Sequence, residues 1–224
     1  MIRLKHFRNL DVIGSGSYRF RQFAKLPNTL QEVEWIGSRD TKSFIETGVV
    51  PDGDMEIIFR FSIGAVLSTN RYIFGTNASV DNPRYNIRVN ANETTFSFYV
   101  NTASGSAKLV GTFSFNLNDV IEVRIVSSES SHNLAVSCGG ATSTYDYAPN
   151  LSPIAPIKIF SYAGADSHIN MNFYEFVCRK NGELIQYLVP CYNKDNGEIG
   201  ACDLVSKAVL LNGGTGNFVK GGDV

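Results

Sequence analysis

The sequence predicts an all-β fold built from two packed antiparallel sheets. From Leu30 onward, short β-prone runs alternate with turns that contain Gly, Asn, Asp or Pro. Helical periodicity is nearly absent, and the 43% hydrophobic and 12% aromatic residues are enough for a sizeable core. Because β-sandwiches commonly reach about 200 residues as one unit, we expect a single domain.

Twelve runs of the sequence are predicted as strands. They lie at 32–36, 43–47, 55–62, 72–74, 85–89, 94–100, 107–115, 119–126, 133–138, 157–161, 171–180 and 184–190. Alternation is clearest in MEIIFRFSI, where the phenylalanines share one face. In NETTFSFYV the same rule places Tyr99 opposite the phenylalanines, and in DVIEVRIV it predicts an external pair of Glu122 with Arg124. These strands should each have a dry inner face and a wetter outer face.

Turns that contain glycine separate the strands. Asn181-Gly182 joins two apolar runs, and both residues tolerate positive φ, so residues 171–190 are predicted to form a β-hairpin with a type I′ turn. The chain is also expected to turn at Asn196-Gly197 and to break at Gly139-Gly140. No internal repeat is evident.

The first 27 residues differ from the rest of the chain in charge. They carry six Lys or Arg and one Asp, which gives a formal charge of +5. Because the net charge of the whole chain is −1, the remaining residues carry a net charge of −6. We therefore divide the chain into a basic N-terminal arm at 1–27 and a domain at 28–224. Charges interrupt the apolar residues of the arm, so a cleaved secretion signal is not expected. No run approaches the roughly 18 apolar residues of a membrane span, and no membrane partner is predicted.

The arm interleaves its charges with apolar and aromatic side chains, which makes it too apolar for a purely solvated tail. We predict that it attaches the domain to a neighbouring chain of an assembly, either another kind of subunit or a second copy. A charge of +5 spread over 27 residues is sparse for nucleic acid, because each phosphate contact draws on a Lys or Arg. The residues predicted to make the attachment are Arg3, Lys5, Phe7, Arg8, Tyr18, Arg19, Phe20, Arg21 and Phe23.

Two segments at opposite ends of the domain carry a family resemblance. LPNTLQEVEWIGSRDTKSFIETGVVP at 26–51 resembles the opening motif of concanavalin A-like (laminin G-type) domains, which are common in bacteriophage virion proteins and gut-bacterial surface proteins. NFYEFVCRKNGELIQYLVPCYNKDNGEIGACDLVSKAVLLNGGTGNFVKG at 172–221 is similar to the closing motif of that family. The middle of the chain agrees in strand pattern alone. The sequence departs from the family at Trp35, Arg39-Asp40 and Ala201-Cys202.

The resemblance implies a jelly-roll sandwich with a structural or binding role. We expect a bacteriophage virion component, such as a capsid decoration, head-fibre or tail-associated subunit. Its arm would attach it to other virion subunits, and its jelly roll would face outward and bind host-surface glycans. The alternative is a carbohydrate-binding or adhesion module at a bacterial cell surface.

The sequence lacks the acidic residues of the glycanases that share this fold. Those enzymes need two carboxylates on one face of a strand, spaced as in E-x-D-x-x-E, and no such run occurs. Asp52, Asp54 and Glu56 lie together in a turn that enters a strand, where solvated acidic residues are ordinary. The three histidines have no nucleophile elbow nearby. We therefore expect no enzymatic activity.

No cofactor or zinc site is predicted, because the four cysteines form no C-x-x-C pair and are expected to be mostly reduced. A bridge between Cys191 and Cys202 stays open. Calcium also stays open, since relatives with this fold hold it at the rim with backbone carbonyls and Asp or Asn side chains. The loop residues available to it are Asp81, Asn82, Asp166 and Asn170.

Carbohydrate binding requires exposed aromatic faces beside amide and hydroxyl groups. Asn86, Asn90 and Asn101 could supply the amides. For each candidate tyrosine the alternative is a half-buried strand residue with a wet hydroxyl, and Trp35 is predicted to belong to the core. The candidate tyrosines are Tyr85, Tyr99, Tyr145, Tyr147 and Tyr162.

Overall fold

A computed structural model describes residues 25–38, 43–51, 54–76, 84–101, 107–128, 130, 133–146, 155–161 and 171–224. Within these ranges the chain forms strands and no helix, so none of the described segments is a helix able to cross a membrane. The strands are β1 (Leu30–Glu32), β2 (Ile36–Ser38), β3 (Ile45–Glu46), β4 (Met55–Ile63), β5 (Arg71–Thr76), β6 (Arg84–Val89), β7 (Thr95–Asn101), β8 (Ala107–Ser114), β9 (Ile121–Ser128), β10 (Asn133–Cys138), β11 (Ala141–Asp146), β12 (Ile157–Ile159), β13 (Met171–Lys180), β14 (Glu183–Asn193), β15 (Ile199–Asp203), β16 (Val209–Leu210) and β17 (Phe218–Lys220).

The strands form two antiparallel sheets. Over the described residues, the large sheet has eleven strands that include the order β11-β10-β9-β4-β13-β14-β15-β16, with β1 paired to β14 and β2 between β13 and β17. The small sheet has six strands in the order β3-β12-β5-β6-β7-β8. In the middle of the large sheet, β4 and β13 pair over almost their full length.

A core rich in phenylalanine fills the space between the sheets. Phe59 and Phe61 of β4 point inward with ring centroids 5.0 Å apart, and Phe96 of β7 reaches Phe61 from the other sheet at 5.9 Å. All three side chains are fully buried, and burial of each contributes roughly 1.5–3 kcal/mol. The alternation predicted for β4, β7 and β9 is confirmed.

The sheets also meet along one pair of edge strands. β8 lies against β11, and a Cβ atom on Gly111 would stand 2.5 Å from Oγ of Ser143, so the close approach requires glycine there. Strand β11 was not among the predicted strands. Gly139-Gly140, with φ of 55° and 83°, does not simply break the chain but reverses it into β11. The run ATSTYD is too polar to be recognised as a strand from its sequence.

A second, smaller apolar cluster lies on the outer face of the large sheet. Leu26 packs against it, so the described end of the predicted arm lies on this face. Residues 1–24 of the arm lie outside the described residues, and the boundary at 27 stays a prediction. We call this cluster the outer cluster; its buried members are Leu30, Val177, Tyr187, Val189, Cys191 and Cys202.

The closing segment contains a repeated turn that the sequence does not reveal. The hairpin of β13 and β14 is confirmed, with its turn at Asn181-Gly182. In the next turn the Asn193 N–H donates to the Glu198 carbonyl at 2.9 Å. In the turn after β15 the Asp203 N–H donates to the Ala208 carbonyl at 2.8 Å. The two turns share a backbone conformation but few residue types, so the sequence does not show the repetition.

The C-terminal strand completes one end of the sandwich. β17 pairs with β2 of the large sheet, while the ring of Phe218 lies 5.4 Å from that of Phe160, which follows β12 of the small sheet. The prediction that Trp35 belongs to the core is wrong. Its ring is half-buried and covers Gly221, where a Cβ atom would stand 2.6 Å from the indole Nε1.

Candidate functional site

The outer face of the small sheet is the candidate site. Strands β6 and β7 send Ile87, Val89, Phe96 and Phe98 into the core, so the residues between them point outward. Strand β8 continues the same face. We call this surface the polar face, and it comprises Asn86, Arg88, Asn90, Ser97, Tyr99, Leu109 and Thr112.

Arg88 and Tyr99 form the centre of the polar face. Nη2 of Arg88 donates to the Tyr99 hydroxyl at 2.6 Å, and the Arg88 Cζ stands 4.6 Å from the centroid of the Tyr99 ring. The Tyr99 oxygen accepts this bond, so its own hydrogen remains to be donated. Leu109, the cross-strand neighbour of Tyr99, is 54% exposed. The centre of the face therefore places apolar surface beside a positioned cation and a hydroxyl donor.

A ladder of amide and hydroxyl groups crosses the face next to this centre. Nδ2 of Asn90 lies 2.8 Å from Oγ1 of Thr95 and 3.0 Å from Oγ of Ser97. The Ser97 hydroxyl in turn lies 3.0 Å from Oγ1 of Thr112. Ser97 is only 2% exposed, whereas Thr112 is exposed. The buried Ser97 hydroxyl therefore holds the exposed Thr112 hydroxyl in position. Positioned side chains of this kind can hydrogen-bond a ligand with little loss of conformational entropy.

The structure brings one predicted tyrosine to this face and places two others elsewhere. Tyr99 lies at its centre and is half-buried. Tyr85 is 4% exposed and its ring lies 6.1 Å from that of Phe98 in the core, so it presents no face to a sugar. Tyr145 is on the edge strand β11 and packs against the core. Tyr147 and Tyr162 lie outside the described residues, as do the nine predicted attachment residues of the arm.

The described residues contain no group of three or more His, Cys, Asp or Glu side chains that could hold a metal ion. The four calcium candidates, Asp81, Asn82, Asp166 and Asn170, lie in ranges that the structure does not describe. The cysteines do not converge on a zinc site, because Cys178 faces the core while Cys191 and Cys202 face the outer cluster.

The geometry also argues against the Cys191–Cys202 bridge. Cys191 stands opposite Gly200 and Cys202 opposite Val189, so the two cysteines are diagonal neighbours on β14 and β15. Diagonal neighbours are about 7–8 Å apart, farther than the roughly 4.4–6.8 Å between the Cα atoms of a disulfide. Both thiols are free. Burial raises the pKa of Cys191 to about 12 and that of Cys202 to about 11.

The outer face of the large sheet also carries a network of paired charges. Glu56 accepts from Nε of Arg124 at 2.7 Å and from Nη1 of Arg179 at 3.0 Å. Burial alone would raise the pKa of Glu56, but these two arginines outweigh it and hold the pKa below its ordinary value. The predicted pair of Glu122 with Arg124 is wrong. Both point outward, yet each pairs across to β4, Glu122 with Arg60 at 3.6 Å, because side chains of adjacent strands can meet on a shared face.

Glu175, on β13 in the same network, has one property of a catalytic acid. Burial raises the pKa of Glu175, against the opposing effects of a hydrogen bond from Tyr187 and the charge of Arg60. A raised carboxyl pKa is one mark of a general acid. However, Glu175 is only 8% exposed and its Oε2 lies 3.3 Å from Nη1 of Arg60. This arrangement fits a structural ion pair that a substrate does not reach.

Sequence reasoning singled out Asn86, Asn90 and Tyr99 but missed the rest of the polar face. Arg88, Leu109 and Thr112 were not singled out, although the alternation in RYNIRV carries a usable signal: it puts Tyr85 inside and Arg88 outside. The adjacency of Arg88, Tyr99 and Leu109 depends on the pairing of three strands, including a register shift between Phe98 and Tyr99. The spacing of residues along the sequence does not predict the register between these strands.

Comparisons with solved structures find the same architecture at low sequence identity. A heptameric SAP-like pentraxin from Limulus polyphemus aligns with a TM-score of 0.53 and 12% identity, over 86% of this chain and 95% of the pentraxin chain. A putative carbohydrate binding protein from Bacteroides ovatus aligns with a TM-score of 0.52 and 11% identity, over 86% of this chain and 62% of that one. Domains LG4-5 of the mouse laminin α1 chain align with a TM-score of 0.51 and 11% identity, over 69% of this chain and 44% of that one.

No protein-family model matches the sequence, and no curated protein matches it. At 11–12% identity the structural likeness concerns the fold alone. The relatives are sandwiches of the type that the two end motifs predict, and the described residues here form two antiparallel sheets without a helix. The chain therefore has the concanavalin A-like (laminin G-type) jelly-roll fold.

Proposed function

We propose that this chain is a non-enzymatic carbohydrate-binding domain whose ligand lies on the polar face. The observation that carries the proposal is the juxtaposition of Tyr99 and Leu109 with the Asn90–Ser97–Thr112 ladder. A sugar ring presents apolar C–H patches and hydroxyl groups together, so its site needs apolar surface flanked by a few positioned donors and acceptors. The polar face offers both across three adjacent strands.

Two further observations support this class of function. The Bacteroides ovatus protein that shares the fold is described as a putative carbohydrate binding protein. Glu56, Glu122 and Glu175 of the large sheet pair with arginines, and Glu175 is buried, which favours binding without hydrolysis.

The proposal is tested by affinity electrophoresis of the purified protein through gels that contain neutral or acidic polysaccharides. We expect Tyr99→Leu and Thr112→Val each to weaken binding roughly tenfold, the loss of about 1.4 kcal/mol of contact energy. Thr142→Val is the matched control, because Thr142 bonds Ser137 at 2.8 Å on the other sheet and is exposed in the same way as Thr112. No release of reducing ends is expected. Binding that survives both changes, or no binding across the panel, contradicts the proposal.

A finer proposal is that the domain belongs to a bacteriophage virion and is attached through residues 1–27. It is supported by the resemblance of the two end motifs and by the position of Leu26, which packs at the outer cluster of the large sheet, on the layer opposite the polar face. Attachment there would leave the polar face turned outward. Deleting residues 1–24 should abolish assembly, measured by light scattering, and leave glycan binding intact; unchanged assembly would count against attachment by the arm.

The alternative, a carbohydrate-binding or adhesion module at a bacterial cell surface, uses the same polar face. The two proposals differ in where the protein is located and in which molecule the arm binds. Immunogold labelling of virions and of bacterial cells from the source of the gene distinguishes the two proposals.

A further inference from the structure

Arg88 occupies the middle of the polar face. It lies on β6, opposite Tyr72 of β5 and Ser97 of β7. Its side chain is half-buried and reaches the hydroxyl of Tyr99 at 2.6 Å. Its neighbours on the face are neutral: the amides of Asn90 and of the buried Asn86, and the hydroxyl of Ser97. The carboxylate of Glu93 lies at the end of the ladder, where it accepts from the Thr95 hydroxyl.

The guanidinium of Arg88 has no carboxylate partner among the described residues, unlike several other cations of the domain. Arg124 and Arg179 pair with Glu56, and Lys220 pairs with Asp223. Nε of Arg88 is buried and donates to no acceptor in the described part of the chain. A partly buried cation that lacks both a counter-ion and a full set of acceptors carries an uncompensated desolvation cost. An anion that binds the remaining N–H groups of this guanidinium would offset part of that cost.

The shape of the group indicates which anion fits. A guanidinium presents donors in a planar fork that matches the oxygens of a carboxylate or a sulfate. A single cation whose immediate neighbours are neutral suits one anionic substituent on an otherwise neutral ligand. A nucleic-acid backbone would instead require a row of Lys or Arg along the face, which the described residues do not provide.

We propose that the ligand of the polar face is an acidic glycan whose carboxylate or sulfate binds Arg88. This inference rests on the proposed carbohydrate-binding function and specifies its ligand class. Tyr99 holds the guanidinium in place through the hydrogen bond at 2.6 Å, and the ladder from Asn90 to Thr112 binds neutral hydroxyls beside it.

The test compares ligands that differ only in charge. Polygalacturonate and its methyl ester form the carboxylate pair, and κ-carrageenan and its desulfated form are the sulfate pair. We expect the full-length protein to bind the acidic member of at least one pair roughly tenfold or more tightly than its neutral member, the size of one charge-assisted hydrogen bond. The pair that shows the difference identifies the anion.

Variants locate the effect at Arg88. Arg88→Gln should remove the preference for the acidic member. Arg88→Lys should keep part of this preference, because lysine retains the positive charge but lacks the planar, forked donors of the guanidinium. Arg124→Gln is the matched control on the outer face of the other sheet and should leave the preference unchanged. Thermal unfolding of each variant separates loss of binding from loss of folding.

A second readout does not depend on the chosen polysaccharides. In ¹⁵N-labelled protein, the Nε resonance of Arg88 should shift on titration with free galacturonate or sodium sulfate and not with galactose at equal ionic strength. Tight binding of a neutral glycan that Arg88→Gln does not change would overturn the inference and leave the proposed function standing. If no glycan binds and Arg88 Nε does not respond, both are contradicted. Equal, Arg88-dependent binding of a single-stranded oligonucleotide would also overturn the inference.

Discussion

At the scale of single residues, the two repeated turns of the closing segment show what a left-handed backbone position demands. Gly197 and Lys207 occupy equivalent places, with φ of 74° and 67°, and each donates its N–H to the first residue of its turn, at 2.8 and 2.7 Å. Glycine adopts this conformation freely, whereas a residue with a Cβ atom does so at a cost of roughly 1 kcal/mol. Lys207 therefore stores strain that Gly197 does not.

We expect Lys207→Gly to be more stable than Lys207→Ala by about 1 kcal/mol in urea unfolding, because only the alanine keeps the strain. Comparing these two variants cancels the loss of the Lys207 Nζ bond to the Lys25 carbonyl. Gly197→Ala is the reciprocal test and should lose a similar amount, since a Cβ there meets nothing within 4 Å and only the backbone opposes it. Equal stability of the two variants at position 207 would show that the two turns are not equivalent.

At the scale of elements, the sequence predicts long amphipathic strands well and short or polar ones poorly. Strands β4, β7 and β9 are visible because alternation over seven or more residues separates a core face from an outer face. Strands β16 and β17 are only two and three residues long, and β11 is polar because it is an edge strand. These three segments form strands because a neighbouring strand is available for pairing, and the local sequence pattern does not indicate that neighbour.

The candidate site likewise combines features that alternation predicts with features that depend on strand pairing. The outward direction of Tyr99 is predictable from alternation within β7. The placement of Leu109 beside it is not, because it depends on the irregular register between β7 and β8. The inclusion of Tyr85 among the candidate tyrosines shows the opposite error, in which residue type was weighed without the face it occupies.

The charge network across β9, β4 and β13 gives a pH-dependent prediction. Glu56 has a pKa below its ordinary value of 4.5 in the folded protein, so the folded state binds fewer protons than the unfolded chain in acid. Its stabilisation is therefore present above pH 4.5 and lost as the pH falls through the lowered folded pKa. We expect Glu56→Gln to cost about 1–2 kcal/mol at neutral pH and progressively less in acid.

The measurement is urea unfolding of both proteins over a series of pH values. Glu46→Gln is the control, because the Glu46 side chain, 3.4 Å from Lys158, is 48% exposed against 25% for Glu56. Its loss should cost no more than about 1 kcal/mol. A difference between wild type and Glu56→Gln that does not change with pH would mean that packing, and not charge, is responsible.

At the scale of the whole molecule, the sandwich separates its surfaces by layer. The chain enters over the outer cluster of the large sheet, and the polar face lies on the far side of the small sheet. A domain attached through the outer cluster of the large sheet can therefore keep the polar face of the small sheet accessible to a ligand.

The C-terminal strand joins the two layers, and this gives the last prediction. The backbone of β17 belongs to the large sheet, whereas the ring of Phe218, 8% exposed, packs against Phe160 beside the small sheet. Phe218→Ala should therefore destabilise the whole domain by about 3 kcal/mol in a single cooperative transition, since it opens a cavity between the sheets. Val219→Ala, on the same strand but 37% exposed, should change stability by no more than about 0.5 kcal/mol. If Phe218→Ala instead released only the C-terminal segment, seen as selective amide exchange in 218–224, the strand would be an appendage and the sandwich would close without it.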